Sequence, residues 1–318
     1  MEERNYLDPA HWMISLQGDY LEGYVPGGGS SVKVVVASEN DRDKARSLLS
    51  TYATAAGFAL VSVDSASTRM HMVHHLFAAL AKQIDWRASA ESFMRRILSE
   101  QLTLPSSGPV SVDALADLNG QAPALVRQEL QRLITQEVFR DYSLCREFRL
   151  AATALCRATY DPSADIQQEA TDVEAWLVGR LERMSSLRRL SLYRKIGRNN
   201  ARQMLYSTTR WLRKAGHVGT LIIADISRYS LGRDADSSGF QFTKFATLDM
   251  HEVLRQFIDG TDEMHSSLSL FLTDDRFLVD ERLGLRNYEA LRLRLTDDVR
   301  DRSRPNPFAP MVRLRSPQ

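Results

Sequence analysis

Val34–Leu49 reads VVVASENDRDKARSLL, and this stretch decides which fold we expect for the chain. Three β-branched residues, Val34 to Val36, are typical of a buried strand, and a short polar turn and a helix-forming run follow them. A strand, a loop and a helix with a lysine near its start form the layout of a phosphate-binding loop, whose pattern is G-x-x-x-x-G-K-[ST]. In this register only Lys44 agrees with the pattern.

The other positions of the pattern carry residues with unsuitable chemistry. Ser38 and Asp43 stand at the two glycine positions, and Ala45 stands at the Ser/Thr position. Glycines let backbone N–H groups approach the phosphates, and side chains in their place obstruct this approach. Asp43 puts a carboxylate where a polyphosphate would sit, and Ala45 has no hydroxyl for Mg²⁺. Taken alone, the stretch is a weak phosphate-loop signal, and an ordinary surface lysine is the simpler interpretation.

Length and composition are those of an ordinary globular protein. The chain has 318 residues, enough for two domains or for one large domain with insertions. Its net charge of +1 gives no global field toward nucleic acid or a membrane. The sequence has no apolar run long enough to span a bilayer, and its polar N-terminus lacks the apolar core of a signal peptide. These features predict a cytoplasmic protein without membrane contact.

Cysteines and histidines provide no strong metal-site signal. Cys145 and Cys156 form no ligand cluster, which favours a reducing compartment. His71 and His75 have the i, i+4 spacing that can share a metal, but no carboxylate follows in the order of a zinc protease. We therefore interpret these histidines as surface or helix-edge residues and predict no metal ligands.

Further strands and helices follow the opening stretch. Gly57 is a helix C-cap signal, and a second strand over 58–64 completes a strand–helix–strand unit that predicts parallel pairing of the two strands. Leu221 to Ala224 is an apolar run suited to a central parallel strand, and it ends in Asp225. P-loop NTPases have an Asp that supports Mg²⁺ at such a position, often followed by a Glu that activates water. Here Ile226 takes the place of the Glu.

Composition shifts predict the organisation of the chain into four parts. Residues 1–30 are expected to form a helix or an irregular arm. Residues 31–105 form the first part of an α/β domain, and residues 163–318 form its remainder. This remainder contains a polar loop at 227–241 and ends in an extended tail. Between the break at Leu104–Pro109 and Asp161-Pro162, residues 106–162 form a helical insert. Within it, Ala124–Arg140 has the character of one helix of a DNA-binding pair, but its bases alternate with acids, so a structural role is favoured.

A basic segment, MSSLRRLSLYRKIG, links two helices predicted over 163–183 and 198–214. Its positive side chains are Arg188, Arg189, Arg194 and Lys195. A run of charge is most often a solvated surface, and contact with nucleic acid is the alternative interpretation.

Several motifs in order carry a family resemblance. They are YVPGGGSSVKVVV, GFALVSVD, WLVGRL, IGRNNARQML, GHVGTLIIAD, LRQFIDG, LGLRNYEALRLRL and NPFAPMVRL. Together they resemble the bacterial ATP-binding family of BREX phage-defence systems, over nearly the whole chain from Leu21 to Leu314.

The resemblance implies an AAA-like or STAND-like P-loop fold, in which helices flank a parallel α/β sheet that carries an all-helical insert. Family members have GENGSGK[ST] where this chain has SENDRDKA, and a strand ending in DE where this chain has Asp225-Ile226. Lys44 and Asp225 therefore match the family. Arg255, Arg292 and Arg294 lie in matching stretches, but the sequence does not identify an arginine finger among them.

These departures predict a vestigial nucleotide site made of Ser38, Asp43, Lys44, Ala45 and Asp225, with no catalytic residue. The expected protein is a pseudo-ATPase without a resident cofactor, acting as a binding or regulatory subunit of an intact ATPase of the same family. A helicase or other proteins of the defence system are further possible partners. Two alternatives stay open: weak binding or hydrolysis of ATP with Mg²⁺, and nucleic-acid binding through the basic segment.

Overall fold

The computed structural model describes residues 6–106, 108, 110–231, 239–296 and 306–317. Two compact units divide the chain. The sheet unit contains residues 1–76 and 217–318, and the helical unit contains residues 77–216. The predicted insert at 106–162 lies inside the helical unit, and the predicted boundaries at 30, 105 and 162 stay predictions. None of the helices among the described residues combines the length and apolar composition needed to cross a bilayer.

A five-stranded parallel sheet forms the centre of the sheet unit. Its strand order is β2-β3-β4-β1-β5. The expected α/β fold with a parallel sheet is confirmed, and it is consistent with a P-loop NTPase-like architecture. The strands are β1 (Ser30–Ala37), β2 (Ala59–Asp64), β3 (Thr220–Asp225), β4 (Ser267–Thr273) and β5 (Met311–Leu314).

The predicted direct pairing of the first two strands is wrong, because β3 and β4 lie between β1 and β2. Every residue of β3 and β4 is buried, as a central strand requires. In β2, by contrast, Val61 and Val63 are buried while Ser62 and Asp64 are exposed. This alternation suits an edge strand with one covered face, so burial explains the order of the strands.

Helices and one π-helical segment, Gln17–Tyr24, complete the sheet unit. The described part of the predicted arm, residues 6–30, packs into the core, where Trp12, Leu16 and Leu21 are buried. The helices are α1 (Pro9–Leu16), α2 (Glu39–Ala56), α3 (Val73–Ala81, which contains the unit boundary), α10 (Ser227–Leu231), α11 (Lys244–Asp259), α12 (Arg276–Val279) and α13 (Glu289–Leu295).

Three local predictions need correction in the sheet unit. The tail, predicted only as extended, contributes β5, which pairs with β1. Lys33 stabilises this arrangement, since its Nζ donates to the carbonyl oxygen of Phe308 at 2.8 Å. The predicted loop at 227–241 begins with α10, and residues 232–238 lie outside the described residues. The spacing of the apolar residues in 69–84 predicts a helix over this whole stretch, but α3 begins only at Val73, after a turn.

The helical unit packs six further helices around aromatic side chains. Trp86, Phe93, Phe148 and Trp211 are buried, with ring centroids of Phe93 and Trp211 4.9 Å apart. The Trp211 indole donates to the Ser89 hydroxyl at 3.0 Å, which satisfies its buried polar atom. The helices are α4 (Trp86–Leu98), α5 (Val112–Asn119), α6 (Pro123–Ile134), α7 (Arg146–Tyr160), α8 (Ala164–Leu177) and α9 (Ala201–Lys214).

His251 on α11 is a buried histidine whose surroundings oppose its protonation. Its side chain is 2% exposed and lies against the rings of Phe277 and Tyr288. Burial lowers the pKa of His251 from 6.5 to about 4. The unfolded chain therefore binds a proton at higher pH than the folded chain, so stability is lost as the pH falls from 6.5 toward 4.

We expect His251→Phe to remove this pH dependence. Between pH 7 and pH 5 the wild-type protein should lose about 2 kcal/mol of unfolding free energy through His251 alone. Urea unfolding at both pH values measures the difference between the wild type and the variant. His75→Gln is the matched control, because His75 is exposed. An equal pH effect in the wild type and His251→Phe would contradict the assignment.

Candidate functional site

The carboxyl ends of β1, β4 and β3 lie side by side at one edge of the sheet. Val36 is in register with Thr273, and Leu272 is in register with Asp225. Ser38 directly follows β1, so the structure brings Ser38 and Asp225 to the same edge. Ligands of open α/β sheets bind at this edge, which makes it the candidate site.

The connection between β1 and α2 consists of a single residue, Ser38. Its Oγ accepts from the backbone N of Asp41 at 3.3 Å and thus caps the helix. Glu39 and Asp41 lie in the first turn, where negative charge favours helix formation. Because the segment has no glycine, it forms no wide loop, and the helix starts at Glu39, directly after the serine cap. The positions of the predicted phosphate loop from 39 to 45 are therefore helical.

Asp225, at the end of β3, is held by two arginines of α2. Its Oδ2 lies 3.3 Å from Nε of Arg42 and 2.9 Å from Nη2 of Arg46. Its Oδ1 accepts from the backbone N of Ser227 at 3.0 Å and from the Ser227 hydroxyl at 2.7 Å. Arg42 also donates to the carbonyl oxygen of Ala37 at 3.0 Å. The carboxylate thus has partners from the chain on both oxygens.

The ion pair between Arg42 and Asp225 differs from a surface ion pair because both side chains are buried. The side chains of Arg42 and Asp225 are 10% and 8% exposed. Arg46 is one helical turn further along α2, and it also pairs with Asp43 at 2.7 Å. Two arginines and two carboxylates therefore form a neutral cluster, which we call the Asp225 cluster (Arg42, Asp43, Arg46 and Asp225). Sequence reasoning missed both arginines; their i, i+4 spacing was the available signal.

Lys44 contacts a different part of the sheet unit. Its Nζ lies 3.3 Å from the Ser316 hydroxyl and 3.8 Å from a carboxylate oxygen of Asp8. Within the described residues, its ion pair is with Asp8 and not with Asp225. Ala45 is buried in the core. Of the five predicted site residues, Asp43 and Asp225 join the Asp225 cluster, Ser38 caps α2, and Lys44 and Ala45 point elsewhere.

Asp41 links α2 to the segment after β5. Its Oδ1 accepts from the backbone N of Ser316 at 3.1 Å and from the Ser316 hydroxyl at 2.6 Å. Partial burial opposes ionisation of Asp41, but the hydrogen bonds from Ser316 and Ser38 outweigh it and lower its pKa below the usual value. The start of α2 is therefore occupied by contacts within the chain.

The three family-matched arginines have acidic partners on the same pair of helices. Arg255 pairs with Glu252 and with Asp259, Arg294 pairs with Asp259, and Arg292 pairs with a glutamate one turn earlier. The hydrogen bond from Arg255 holds the pKa of Glu252 down at about 2. This geometry does not single out one of the arginines as free to act on a neighbouring subunit.

The basic segment lies in the helical unit, around a 3₁₀ helix at Met184–Leu190. All four predicted contact residues, Arg188, Arg189, Arg194 and Lys195, are exposed. None of them forms an ion pair with a described acidic residue. Their contact with nucleic acid stays a prediction.

His71 has a hydrogen-bond partner within the sheet unit. The ring Nδ1 of His71 lies 2.9 Å from the Tyr229 hydroxyl. Among the described residues, no group of three or more histidine, cysteine or acidic side chains is arranged to hold a metal ion.

Removing the carboxylate of the Asp225 cluster should destabilise the protein. We expect Asp225→Ala to lower the free energy of unfolding by about 3 kcal/mol, because it leaves two guanidinium groups without their buried anion. Adding Arg42→Met and Arg46→Met should recover most of this loss. Chemical unfolding of the single and triple variants measures the energetic coupling between Asp225 and the two arginines.

Asp43→Ala is the control for the Asp225 variant, because the Asp43 side chain is 62% exposed. Its expected cost is below about 1 kcal/mol. Strictly additive effects of the Asp225 and arginine substitutions would show that the cluster contributes no stability.

A comparison with protein families identifies a family model that covers most of the chain. The model of the family described as BREX system ATP-binding protein BrxC/D matches residues 45–317. The matched region includes Asp225 and begins after Ser38–Lys44. No curated protein and no solved structure matches the chain. The length of the family match, together with the parallel sheet, shows that the chain belongs to the BREX system ATP-binding protein BrxC/D family.

Proposed function

We propose that this protein is a pseudo-ATPase of its defence system, a P-loop ATPase-like chain that acts as a binding or regulatory subunit. The observation that carries the proposal is the capture of Asp225 by Arg42 and Arg46. An Asp at this position supports Mg²⁺ in active P-loop enzymes. Two guanidinium groups on the same carboxylate oppose the approach of a divalent cation.

The start of α2 also does not fit a triphosphate. Phosphates bind P-loop proteins through a glycine-rich loop whose N–H groups turn toward the ligand. Here a single residue joins β1 to α2, the first turn of the helix carries Glu39 and Asp41, and Asp43 follows directly after that turn. Three carboxylates would repel the phosphates, and Lys44 is engaged with Ser316 and Asp8.

The loss of rate expected for each missing catalytic group favours an absence of hydrolysis over a slow reaction. Phosphoryl transfer depends almost entirely on positioning and electrostatic stabilisation. Removing one such group typically lowers the rate about 10²–10³-fold. The chain lacks the glycine loop, the hydroxyl at Ala45 and the glutamate at Ile226 together. Even partly overlapping losses leave turnover negligible.

Family membership supports other proteins of a BREX system as partners. An intact ATPase of the same family is the partner we propose, because related P-loop domains present matching surfaces. A helicase or another component of the system is the next candidate. In either complex this chain would contribute a folded surface rather than a hydrolytic site.

The second candidate function is weak ATP binding. It is favoured by the family description, which names ATP binding, and by the buried Thr273 hydroxyl, which has no hydrogen-bond partner among the described residues. In this case Arg42 and Arg46 would have to leave Asp225 and bind the phosphates, as arginine does in bidentate pairs. The two candidates differ in which residues control binding.

Calorimetry with ATP and ADP, with and without Mg²⁺, is the first test. We expect no binding heat and no thermal stabilisation at millimolar nucleotide, and Lys44→Ala should behave like the wild type. Binding that is lost in the Arg42→Ala, Arg46→Ala variant would establish the weak-binding alternative. Mg²⁺-dependent turnover abolished by Lys44→Ala would overturn the pseudo-ATPase proposal.

Reconstitution with an intact ATPase of the same system tests the regulatory role. We expect a stable complex by size-exclusion chromatography and a change in the ATPase rate of the partner, because the contribution is structural. Lys44→Ala should retain the effect, since the proposal assigns no nucleotide chemistry to Lys44, whose side chain is 44% exposed. If the mixture forms no complex and the partner's rate is unchanged, the regulatory role is wrong.

A further inference from the structure

Charge is distributed very unevenly between the two units. The sheet unit has 20 lysines and arginines against 25 aspartates and glutamates, whereas the helical unit has 21 against 15. The helical unit is therefore at +6 and the sheet unit at −5, a difference that the overall charge of +1 conceals. Residues 180–214 contribute 11 positive side chains and one acidic side chain, Glu182. An excess of this kind attracts polyanions.

Helices α5 and α6 have the construction of a helix-turn-helix. Helix α5 ends at Asn119, and α6 begins at Pro123 after a turn of three residues. Gly120 adopts the left-handed conformation with φ 61°, which glycine tolerates and which turns the chain sharply between the helices. A three- to four-residue turn containing glycine is characteristic of this motif.

The two helices bury complementary apolar faces. Leu115 and Ala116 of α5 and Val126, Leu130 and Leu133 of α6 are at most 3% exposed. The spacing of 126, 130 and 133 covers one face of α6, so the opposite face is free to contact a ligand. Burial thus fixes which side chains of α6 point outward.

Glutamine, arginine and alanine lie on the outward side of α6 beside Leu125, which is 59% exposed. Ala124, Arg127, Gln128 and Gln131 are exposed. The side chains of Gln128 and Gln131 form no hydrogen bond with any described residue. Glutamine pairs with adenine and arginine with guanine in the major groove, where small apolar side chains contact the thymine methyl.

The alternation of acids and bases in this region does not oppose DNA binding. Glu129 accepts from Nε of Arg132 at 2.8 Å, so these two charges neutralise one another on the flank of α6. Arg127 and Gln128 remain for the groove. Asp113 and Asp117 are exposed on α5 and would lower the affinity, which makes the basic residues of 180–214 necessary for attraction to phosphate.

We propose that the helical unit binds duplex DNA, with α6 in the major groove and exposed basic residues of 180–214 on the phosphates. The major groove of B-DNA admits an α-helix, whereas the deep, narrow major groove of A-form RNA does not. A polar face with free amide groups favours DNA over a protein partner, whose interface cores are depleted of charge. The proposal is independent of the nucleotide site, so loss of ATP binding leaves it unchanged.

Two measurements on the full-length chain test the proposal. Fluorescence anisotropy with a labelled random-sequence duplex measures general affinity, and repeated selection from the same library measures sequence preference. We expect affinity to fall at least about tenfold between 50 and 200 mM salt, because counterions are released from each contacted phosphate. We also expect selection to enrich a short sequence motif.

Two sets of variants separate base reading from phosphate contact. Gln128→Ala with Gln131→Ala should lower affinity for the enriched sequence about 5- to 100-fold and leave random duplex binding unchanged. Arg188→Ala with Arg189→Ala and Arg194→Ala should weaken binding to both duplexes equally and reduce the salt dependence. Gln168→Ala, at an exposed glutamine of α8, is the matched control and should change neither.

Four outcomes would overturn the proposal. The first is absence of duplex binding at low salt, and the second is binding without an enriched sequence. The third is an enriched sequence whose affinity is unaffected by the Gln128 and Gln131 substitutions, and the fourth is equal affinity for double-stranded RNA. Circular dichroism and thermal unfolding of each variant confirm that a loss of binding is not a loss of fold.

Discussion

The ion pairs between Asp225 and the arginines at positions 42 and 46 connect the end of a central strand to the first turns of α2. They lie where the ligands of parallel sheets usually bind, so the chemistry of the edge depends on them. Because Asp43 also pairs with Arg46, the cluster is electrically neutral. Arg42 and Asp225 are its buried members, whereas the side chains of Arg46 and Asp43 are 32% and 62% exposed.

The short connection between β1 and α2 affects the chemistry of this edge of the sheet just as strongly. A serine cap and acidic residues in the first turn start α2 immediately after the strand, and the same segment without glycine cannot form a wide loop. Lys44, which matches the family pattern, then lies beside Ser316 and Asp8. Its agreement with the motif is thus compatible with a structural contact between α2 and the segment after β5.

The two units differ in charge and in the surfaces they expose. The sheet unit is acidic and carries the family's nucleotide-site positions, whereas the helical unit is basic and carries a helix pair with an open polar face. An average over the whole chain hides this difference, because opposite charges cancel in the sum. The parallel α/β framework thus lies in the sheet unit, and the excess of positive charge is concentrated in the helical unit.

The sequence alone determined the fold class, the family and most of the helices and strands, because apolar periodicity and caps such as Gly57 are local signals. It also indicated Asp225 as a site position, since a carboxylate after an apolar strand is visible without coordinates. The tertiary structure decided the strand order, the entry of β5 into the sheet and the partners of Asp225. These depend on which distant segments meet, and residues 42 and 225 are joined only when β1, β4 and β3 align. For the same reason the agreement of Lys44 with the motif did not predict its contacts. In the folded chain Lys44 contacts Ser316, and the carboxylate of Asp225 pairs with two arginines.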